Sequence, residues 1–242
     1  SHVLPSALVF VGLSLAPVLD LARGSPAGGP FLLFSRLVNP SISGIFLFGA
    51  LLLMFRTFFE SEKTRWSHVV LLGTLVGSSL YVSPFIYSFL GALLFIAWLW
   101  FLVRREKASA RATFFAGTVA LIFSVPFVLN YVALNSLPEY EVIARYLGIV
   151  PRRQFVLGSL LPLMAALVAL VWPKTFPRAG RTFLLLACVA VFFILNLQLI
   201  TGVSVQLGHY HWYITKPIAG IVAGLFIWAL IDRFVPSLLF RH

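Results

Sequence analysis

Apolar runs long enough to cross a bilayer make up most of this chain, and they constrain its fold more than any other feature. A helix needs about 20 apolar residues to span a hydrocarbon core of about 30 Å. Eight runs meet or approach this length: 3–19, 41–59, 66–82, 84–103, 112–131, 154–172, 182–200 and 217–235. Only 10% of the 242 residues are charged, against roughly 25% in soluble domains. The sequence therefore predicts a polytopic, all-α transmembrane bundle of about eight helices, forming a single domain over residues 1–242.

Residues 69–103 cross the membrane either once or twice. They form a nearly continuous apolar stretch of 35 residues, which as one helix would be about 52 Å long, too long even for a tilted span. Pro84 disfavours helical backbone in the residue before it, so we expect a break at Ser83. The sequence therefore predicts a tight hairpin of two short helices.

The distribution of Lys and Arg along the chain indicates how the chain is oriented in the membrane. The formal net charge is +11, and the basic residues lie in short gaps between apolar runs, where they meet lipid phosphates. We therefore expect no nucleic-acid partner. With eight spans, one side of the membrane carries twelve Lys and Arg and the other six. The richer side is predicted to be cytoplasmic, which gathers the polar segments of the sequence on the extracytoplasmic side.

The first polar segment runs from Arg36 to Pro40, before the second apolar run. Proline suits the first turn of a helix and Asn39 suits its cap, so a capped helix with an interfacial arginine explains the segment. Alternatively, the planar guanidinium of Arg36, with Asn39 nearby in sequence, binds a phosphate or carboxylate of a substrate. The sequence leaves both interpretations open.

The second polar segment covers residues 132–153. Apolar side chains at intervals of three or four residues predict a short amphipathic helix in the membrane interface; they are Tyr140, Ile143, Ala144 and Leu147. This helix either covers the end of the bundle or holds a polar head group with the help of nearby arginines, which are Arg145, Arg152 and Arg153. Glu139 and Glu141 offer carboxylates for general acid or base chemistry.

The third polar segment follows the seventh apolar run. Asn196 and Gln198 lie in or at the end of that run, where an amide must bond to another helix or line a wet cavity. Side chains that suit hydrogen bonding to a ligand follow, and these are Gln206, His209 and His211. The two histidines also suit a metal, but no third ligand follows in sequence. No metal site is therefore assigned, and the cofactor, a divalent cation included, is left open.

In this order the segments resemble the C-terminal portion of bacterial polytopic membrane glycosyltransferases of the GT-C type. The resemblance covers residues 36–216. It rests on Arg-x-x-Asn-Pro before a span, a short glycine-containing helical hairpin, Pro-Glu-Tyr-x-x-x-x-Arg, and Asn-x-Gln-x-Ile-Thr-Gly followed by Gln-x-Gly-His. It implies transfer of a sugar from a polyprenyl-phosphate donor at the outer face of the bacterial cytoplasmic membrane.

The resemblance also implies roles for particular residues. The donor phosphate would face Arg36, Arg145, Arg152 and Arg153, and the lipid or sugar cavity would be lined by Gln198, Gln206 and His209. Asn39 and His211 complete the predicted substrate-binding set. Such enzymes carry an acidic pair in their first extracytoplasmic loop, whereas Asp20 stands alone here. The catalytic base is therefore unassigned: because the sequence begins with Ser1 and has no signal peptide, we expect a fragment whose acidic loop lies upstream, or else a different activity.

Two other classes of function fit the same apolar pattern. A transporter or flippase for a lipid or small solute requires a central path, with Asn130, Asn196 and Gln198 facing one cavity. A noncatalytic membrane subunit requires a helix-packing face, which Gly220 and Gly224 offer at Gly-x-x-x-Gly spacing. The enzyme instead requires a cavity lined jointly by Arg36, the 139–153 loop and His209. Nothing in the sequence indicates the oligomeric state.

Overall fold

The computed structural model describes residues 40–60, 64–146, 149–171, 177–205 and 207–234. Of these residues 86% are helical, which confirms the all-α class. The elements of the first half are α1 (Pro40–Phe55), continued by a π-helical turn (Arg56–Glu60), α2 (Trp66–Val82), α3 (Pro84–Val103), α4 (Lys107–Asn135) and α5 (Tyr140–Tyr146).

The second half mixes helices with two short strands. Its elements are β1 (Ile149–Pro151), a 3-10 turn (Leu157–Ser159), α6 (Leu160–Val171), α7 (Arg178–Leu195), α8 (Gln198–Thr201), β2 (Val203–Val205), α9 (Leu207–Tyr210), a π-helical turn (His211–Thr215) and α10 (Lys216–Phe234). β1 and β2 pair antiparallel, a small sheet that the sequence analysis does not predict. The expected helix in the 132–153 segment is present as α5.

Four helical segments of the described chain are long and apolar enough to cross a membrane. They are Ile42–Glu60, Pro84–Val103, Lys107–Ala133 and Arg178–Thr201, with α2 a shorter apolar helix. The outer face of α4 carries large apolar side chains, and Leu121 and Leu129 are each 64% exposed. An exposed apolar face of this kind fits contact with lipid. The first predicted span, 3–19, lies outside the described residues, and the count of eight spans stays a prediction.

The predicted hairpin is confirmed. α2 ends at Val82 and α3 begins at Pro84, with Ser83 between them in extended backbone at φ −158° and ψ 109°. Trp66 at the start of α2 lines the same cavity as Trp98 near the end of α3. The two helices therefore run antiparallel, and residues 66–103 pass through the bundle twice.

α2 and α4 run in the same direction along each other. Near their starts, the rings of Trp66 and Phe115 lie 5.5 Å apart. Farther along, the hydroxyl of Tyr81 donates a hydrogen bond of 2.9 Å to the carbonyl of Phe123, and its ring meets that of Phe127 edge-on. α4 therefore covers most of the length of α2.

Two glycines of α2 permit the close approach of these helices. A Cβ atom on Gly73 would lie 2.6 Å from the carbonyl oxygen of Ala116, and one on Gly77 would lie 2.5 Å from the Cβ of Phe123. Both distances are too short for real side chains. Gly73 and Gly77 thus form a Gly-x-x-x-Gly contact, one that the sequence analysis did not single out.

The arginine-rich connectors gather at one end of the described structure. There the ring of Phe183 in α7 lies 5.4 Å from Phe55 and 5.3 Å from Phe59, and Phe59 lies 5.5 Å from Phe101. We call this the basic end, and its cations are Arg56, Arg65, Arg104, Arg105, Lys107, Arg111, Arg178 and Arg181.

The opposite end carries the polar segments. Phe85, about 24 Å from Phe101 along α3, stacks on His209 at 5.0 Å. Asn196 similarly follows Phe183 by about 20 Å along α7. We call this the polar end, and it comprises residues 83–88, 149–159 and 196–213 apart from 206. The predicted separation of polar segments from basic connectors is confirmed for these residues.

One predicted helix begins later than expected. The apolar run 154–172 suggested a helix from Gln154, but residues 152–156 are not helical and α6 begins only at Leu160. The reason is tertiary: the carbonyl of Gln154 and the backbone N–H of Val156 bond to side chains at least 40 positions away in sequence, those of Gln198 and Asn196. The bond to Gln154 takes the carbonyl that a helix would have used, and the bond from Val156 pairs an N–H that the first turn of a helix would have left without a partner.

We predict that Gly73→Ala or Gly77→Ala destabilises the protein, whereas Gly49→Ala does not. A methyl group at Gly73 or Gly77 overpacks the α2–α4 contact and is expected to cost about 1–3 kcal/mol. A Cβ at Gly49 meets nothing within 4 Å, so this variant is the matched control. Thermal unfolding in detergent measures the difference, and equal Tm values for Gly73→Ala and Gly49→Ala would contradict the packing described.

Candidate functional site

The small sheet joins the second and third polar segments. Its register pairs Ile149 with Val205, Val150 with Ser204 and Pro151 with Val203. One further backbone bond extends it, since the N–H of Arg152 donates to the carbonyl of Gly202 at 2.9 Å. The sheet therefore brings Arg152 and Arg153 beside the segment that carries Gln198, although the two lie far apart in sequence.

The buried amide of Asn196 fixes the segment that leads into α6. Its Oδ1 accepts a 3.0 Å hydrogen bond from the N–H of Val156, while its Nδ2 donates to Ser159 Oγ at 2.8 Å and to the Phe192 carbonyl at 2.9 Å. A buried amide with both ends satisfied holds its partners firmly, because losing any one bond leaves an unpaired polar group. Asn196 thus joins the end of α7 to the start of α6.

Gln198 has a similar role in the short helix that follows. Its side chain is buried, and its Nε2 donates a 2.9 Å hydrogen bond to the carbonyl of Gln154. This contact brings the backbone of Gln154 against α8. The amide therefore holds the segment after β1 that carries the arginines, and a role of Gln198 in substrate binding stays a prediction.

The guanidinium of Arg152 is set by its neighbour. Its Nε and Nη2 both donate to the Oε1 atom of Gln154, at 3.0 and 2.8 Å. The bonds use one edge of the planar group. Since an arginine carries five N–H donors in a fixed fork, donors remain to bind an anion.

Arg153 lies over Gly202. A Cβ on that glycine would lie 3.1 Å from Nε and 3.2 Å from Nη2 of Arg153. Gly202 also has a φ of 74°, in the left-handed region, where it closes α8. Glycine is therefore favoured at this position by its backbone conformation and by the side chain above it.

The two arginines form an exposed cationic surface. Both side chains are exposed, and within the described residues the ion pair found is Arg104 with Glu106, at the basic end. No carboxylate of the described chain therefore neutralises Arg152 or Arg153. The two segments that meet at the sheet also carry exposed apolar side chains, namely Phe155, Leu157, Ile200 and Val203. Cations beside exposed apolar groups suit the boundary between lipid tails and head groups.

His209 and its neighbours form an aromatic cluster against the hairpin tip. The His209 ring stacks on Phe85 at 5.0 Å and on Tyr213 at 5.9 Å. Tyr210 meets Phe85 edge-on and bonds to the hydroxyl of Ser88 at 3.0 Å. Burial raises the pKa of the Tyr210 hydroxyl, although the Ser88 bond acts in the opposite direction, so the hydroxyl is protonated at neutral pH.

Trp212, in the same segment, lies against the side chain of Lys216. The ammonium of Lys216 lies 3.3 Å from the centre of the Trp212 ring, an arrangement that cation–π attraction favours. The exposed ring of His211 meets the same tryptophan at 6.1 Å. Tyr210, Trp212 and Tyr213 all lie at the polar end, and such residues are enriched where a membrane meets water.

The structure places some of the predicted site residues and not others. Arg152, Arg153 and Gln198 come together at the sheet, and His209 and His211 lie in the aromatic cluster of the same end. Arg145 belongs to α5, but its side chain is not described, and Arg36, Asn39 and Gln206 lie outside the described residues. The predicted cavity, lined jointly by Arg36, the 139–153 loop and His209, therefore stays a prediction. Glu139 and Glu141 are exposed.

Sequence reasoning missed the residues that build the site without touching a ligand. Gln154 and Ser159 were read only as members of an apolar span, yet they hold Arg152 and Asn196. The β-branched residues of 149–151 and 203–205 were the available signal for the strands. Among the residues that the structure describes, no three His, Cys, Asp or Glu side chains lie close enough to share a metal ion.

Comparison with protein-family models, curated proteins and solved structures finds no match to this chain. The arrangement of its own residues therefore carries the functional argument.

We predict that Gly202→Ala weakens the fold at the polar end, whereas Gly158→Ala does not. An alanine in left-handed backbone costs about 1–2 kcal/mol, and its methyl group displaces the Arg153 guanidinium. A Cβ at Gly158 meets nothing within 4 Å. Thermal unfolding in detergent gives the comparison. A Gly202→Ala protein as stable as Gly158→Ala would show that the α8 turn does not have the described geometry.

Proposed function

We propose that the polar end of this chain binds the phosphate of a membrane lipid. The observation that carries the proposal is the pair of exposed arginines, Arg152 and Arg153, which have no carboxylate partner in the described chain and belong to a region with exposed apolar side chains. Arginine forms bidentate, charge-assisted bonds with phosphate. The exposed apolar side chains of this region contact the hydrocarbon tail of the same lipid.

We further propose that the lipid is a polyprenyl-phosphate sugar and that the chain belongs to a membrane glycosyltransferase of the GT-C type. The eight-span bundle and a bacterial cytoplasmic membrane, with the polar end outside, belong to this proposal. Its support is the resemblance of the polar segments, together with the two arginines that they place at the sheet. In such a reaction the sugar leaves a phosphate, and fixed cations stabilise the charge that develops there.

The chain's own residues assist this chemistry by position. Gln154 orients Arg152 before a lipid arrives, and the Gly202 turn leaves space for Arg153. Preorganised charges are more effective than mobile ones, because they need not reorganise during the reaction. A base that activates the acceptor hydroxyl is not assigned to any residue.

The transport alternative receives less support from the geometry. It requires Asn130, Asn196 and Gln198 to face one central path. The amides of Asn196 and Gln198 instead bond to residues 154–159, and Asn130 is exposed on α4. These contacts favour the amides as structural links between helices, which is the other interpretation offered for them.

We predict that the double variant Arg152→Gln/Arg153→Gln binds polyprenyl phosphate at least about tenfold more weakly than the parent. Each lost charge-assisted hydrogen bond to a phosphate is expected to cost about 1.5–3 kcal/mol. Binding is measured by native mass spectrometry on the full chain in detergent. The matched control is Arg56→Gln/Arg178→Gln, which removes two exposed arginines from the basic end.

Turnover is measured in membranes that contain the chain, as transfer of a radiolabelled sugar from its polyprenyl-phosphate donor to a hydroxyl-bearing acceptor of the same membranes, with release of polyprenyl phosphate. We expect release with the parent and its loss in the Arg152/Arg153 variant. Unchanged lipid binding in that variant would contradict the phosphate site. Binding without sugar release would retain the site but refute glycosyl transfer, and movement of a fluorescent polyprenyl lipid across vesicles would then favour the flippase.

A further inference from the structure

A groove between α3 and α4 reaches the polar end only at Tyr87, and Arg152 and Arg153 do not line it, so it is independent of the proposed function. Its volume is about 460 Å³. Gly91 and Gly117 face it, and a Cβ on either glycine would meet nothing within 4 Å. Apolar side chains form its walls, among them Phe95, Trp98 and Leu121.

The groove offers almost no polar group to an occupant. Its two threonines bond within their own helix, Thr113 to the Ser109 carbonyl at 2.8 Å and Thr118 to the Phe114 carbonyl at 3.1 Å. It also opens to the side, since Phe95, Phe114 and Leu121 are 50%, 61% and 64% exposed. An apolar groove that opens sideways between two helices long enough to cross a membrane suits a hydrocarbon chain.

A second cavity continues this groove toward the basic end. It has a volume of about 660 Å³ and shares Trp98 and Phe114 with the groove. Lys107 and Arg111 line it, one turn apart at the start of α4, with Trp66 beside them. From Arg111 to Leu121 the combined cavity extends about 15 Å along α4, which is close to the thickness of one leaflet.

The charged side chains that line the second cavity, those of Lys107 and Arg111, are both basic. Glu106, the nearest acidic residue in sequence, pairs with Arg104 at 3.9 Å, and no acidic residue lines either cavity. The Nε of Arg111 makes only a long 3.4 Å contact with the Lys107 carbonyl. Because Lys107 opens a helix, the positive end of the helix dipole adds to the field there.

We propose that an anionic phospholipid occupies this site, with one acyl chain in the groove and its phosphate at Lys107 and Arg111. Trp66 and Trp98 lie at the level of the lipid backbone, where tryptophan is preferred. The lipid fills the space between α3 and α4 that Gly91 and Gly117 leave open. It therefore binds the folded chain in preference to the unfolded one and stabilises it.

The test titrates the full chain in detergent with phosphatidylglycerol or phosphatidylcholine, and follows bound lipid by native mass spectrometry and Tm by thermal unfolding. We expect tighter binding and a larger Tm increase with phosphatidylglycerol. In Lys107→Gln/Arg111→Gln the preference for this lipid falls about 10- to 30-fold, as the loss of two interfacial cations implies. Inorganic phosphate alone raises Tm in neither protein, because the acyl chain is required.

Two further variants separate the groove from general surface charge. Gly117→Leu places an apolar side chain in the groove, where a Cβ meets nothing within 4 Å, and should reduce binding of both lipids while the lipid-free Tm is kept. Arg56→Gln/Arg178→Gln removes the same charge from the basic end and should leave the lipid preference unchanged. Equal loss in this control and in the Lys107/Arg111 variant would overturn the proposal, as would parent protein that binds both lipids equally.

Failure of this test leaves the polar end untouched. The arginines at positions 152 and 153 do not line either cavity, and their substitution should not alter the phosphatidylglycerol preference measured here.

Discussion

The turn of the chain at Ser83 is the constraint on which the rest of the structure depends. A helix break at the edge of a membrane is costly when it leaves backbone groups unpaired. Here the N–H of Ser83 donates to the Ser79 carbonyl at 2.7 Å, and the Ser83 carbonyl accepts from Tyr87 at 3.1 Å. The break therefore leaves both groups of the hinge residue satisfied, while Pro84 has no N–H to satisfy.

Two consequences follow from this reversal. The arginine-rich connectors on either side of residues 66–103 come to the same end, where phenylalanine rings from α1, α3 and α7 pack together. The hairpin tip comes to the other end, where Phe85 receives His209 and Tyr210. α4 then packs along α2 through Gly73 and Gly77, so that the pair of short helices is held within a larger assembly of helices.

The ends of the hairpin and the start of α3 could be predicted from the sequence because their causes are local. Proline at 84 acts on its own neighbour, and an apolar stretch too long for one span must break somewhere. The late start of α6 could not be predicted in this way. It depends on Asn196 and Gln198, which contact residues 154–159 only after the chain has folded.

The same distinction applies to the candidate site. Arg152 and Arg153 were recognisable as cations near an interface, but their proximity to Gln198 depends on a sheet of three residue pairs, for which the sequence signal is weak. Glycine motifs show a related limit: Gly73 and Gly77 have the same spacing as Gly220 and Gly224, and only the position of α4 shows that the first pair supports a close contact.

Labelling of single cysteines tests the reversal most directly. In a Cys188→Ala background, which removes the one cysteine of the sequence, the variants R65C, R105C, Y81C and R152C are treated with a membrane-impermeant maleimide in sealed vesicles of known orientation. R65C and R105C should label from one side, and Y81C and R152C from the other. Labelling of R65C and R105C from opposite sides would mean that residues 66–103 cross once, and would contradict the account.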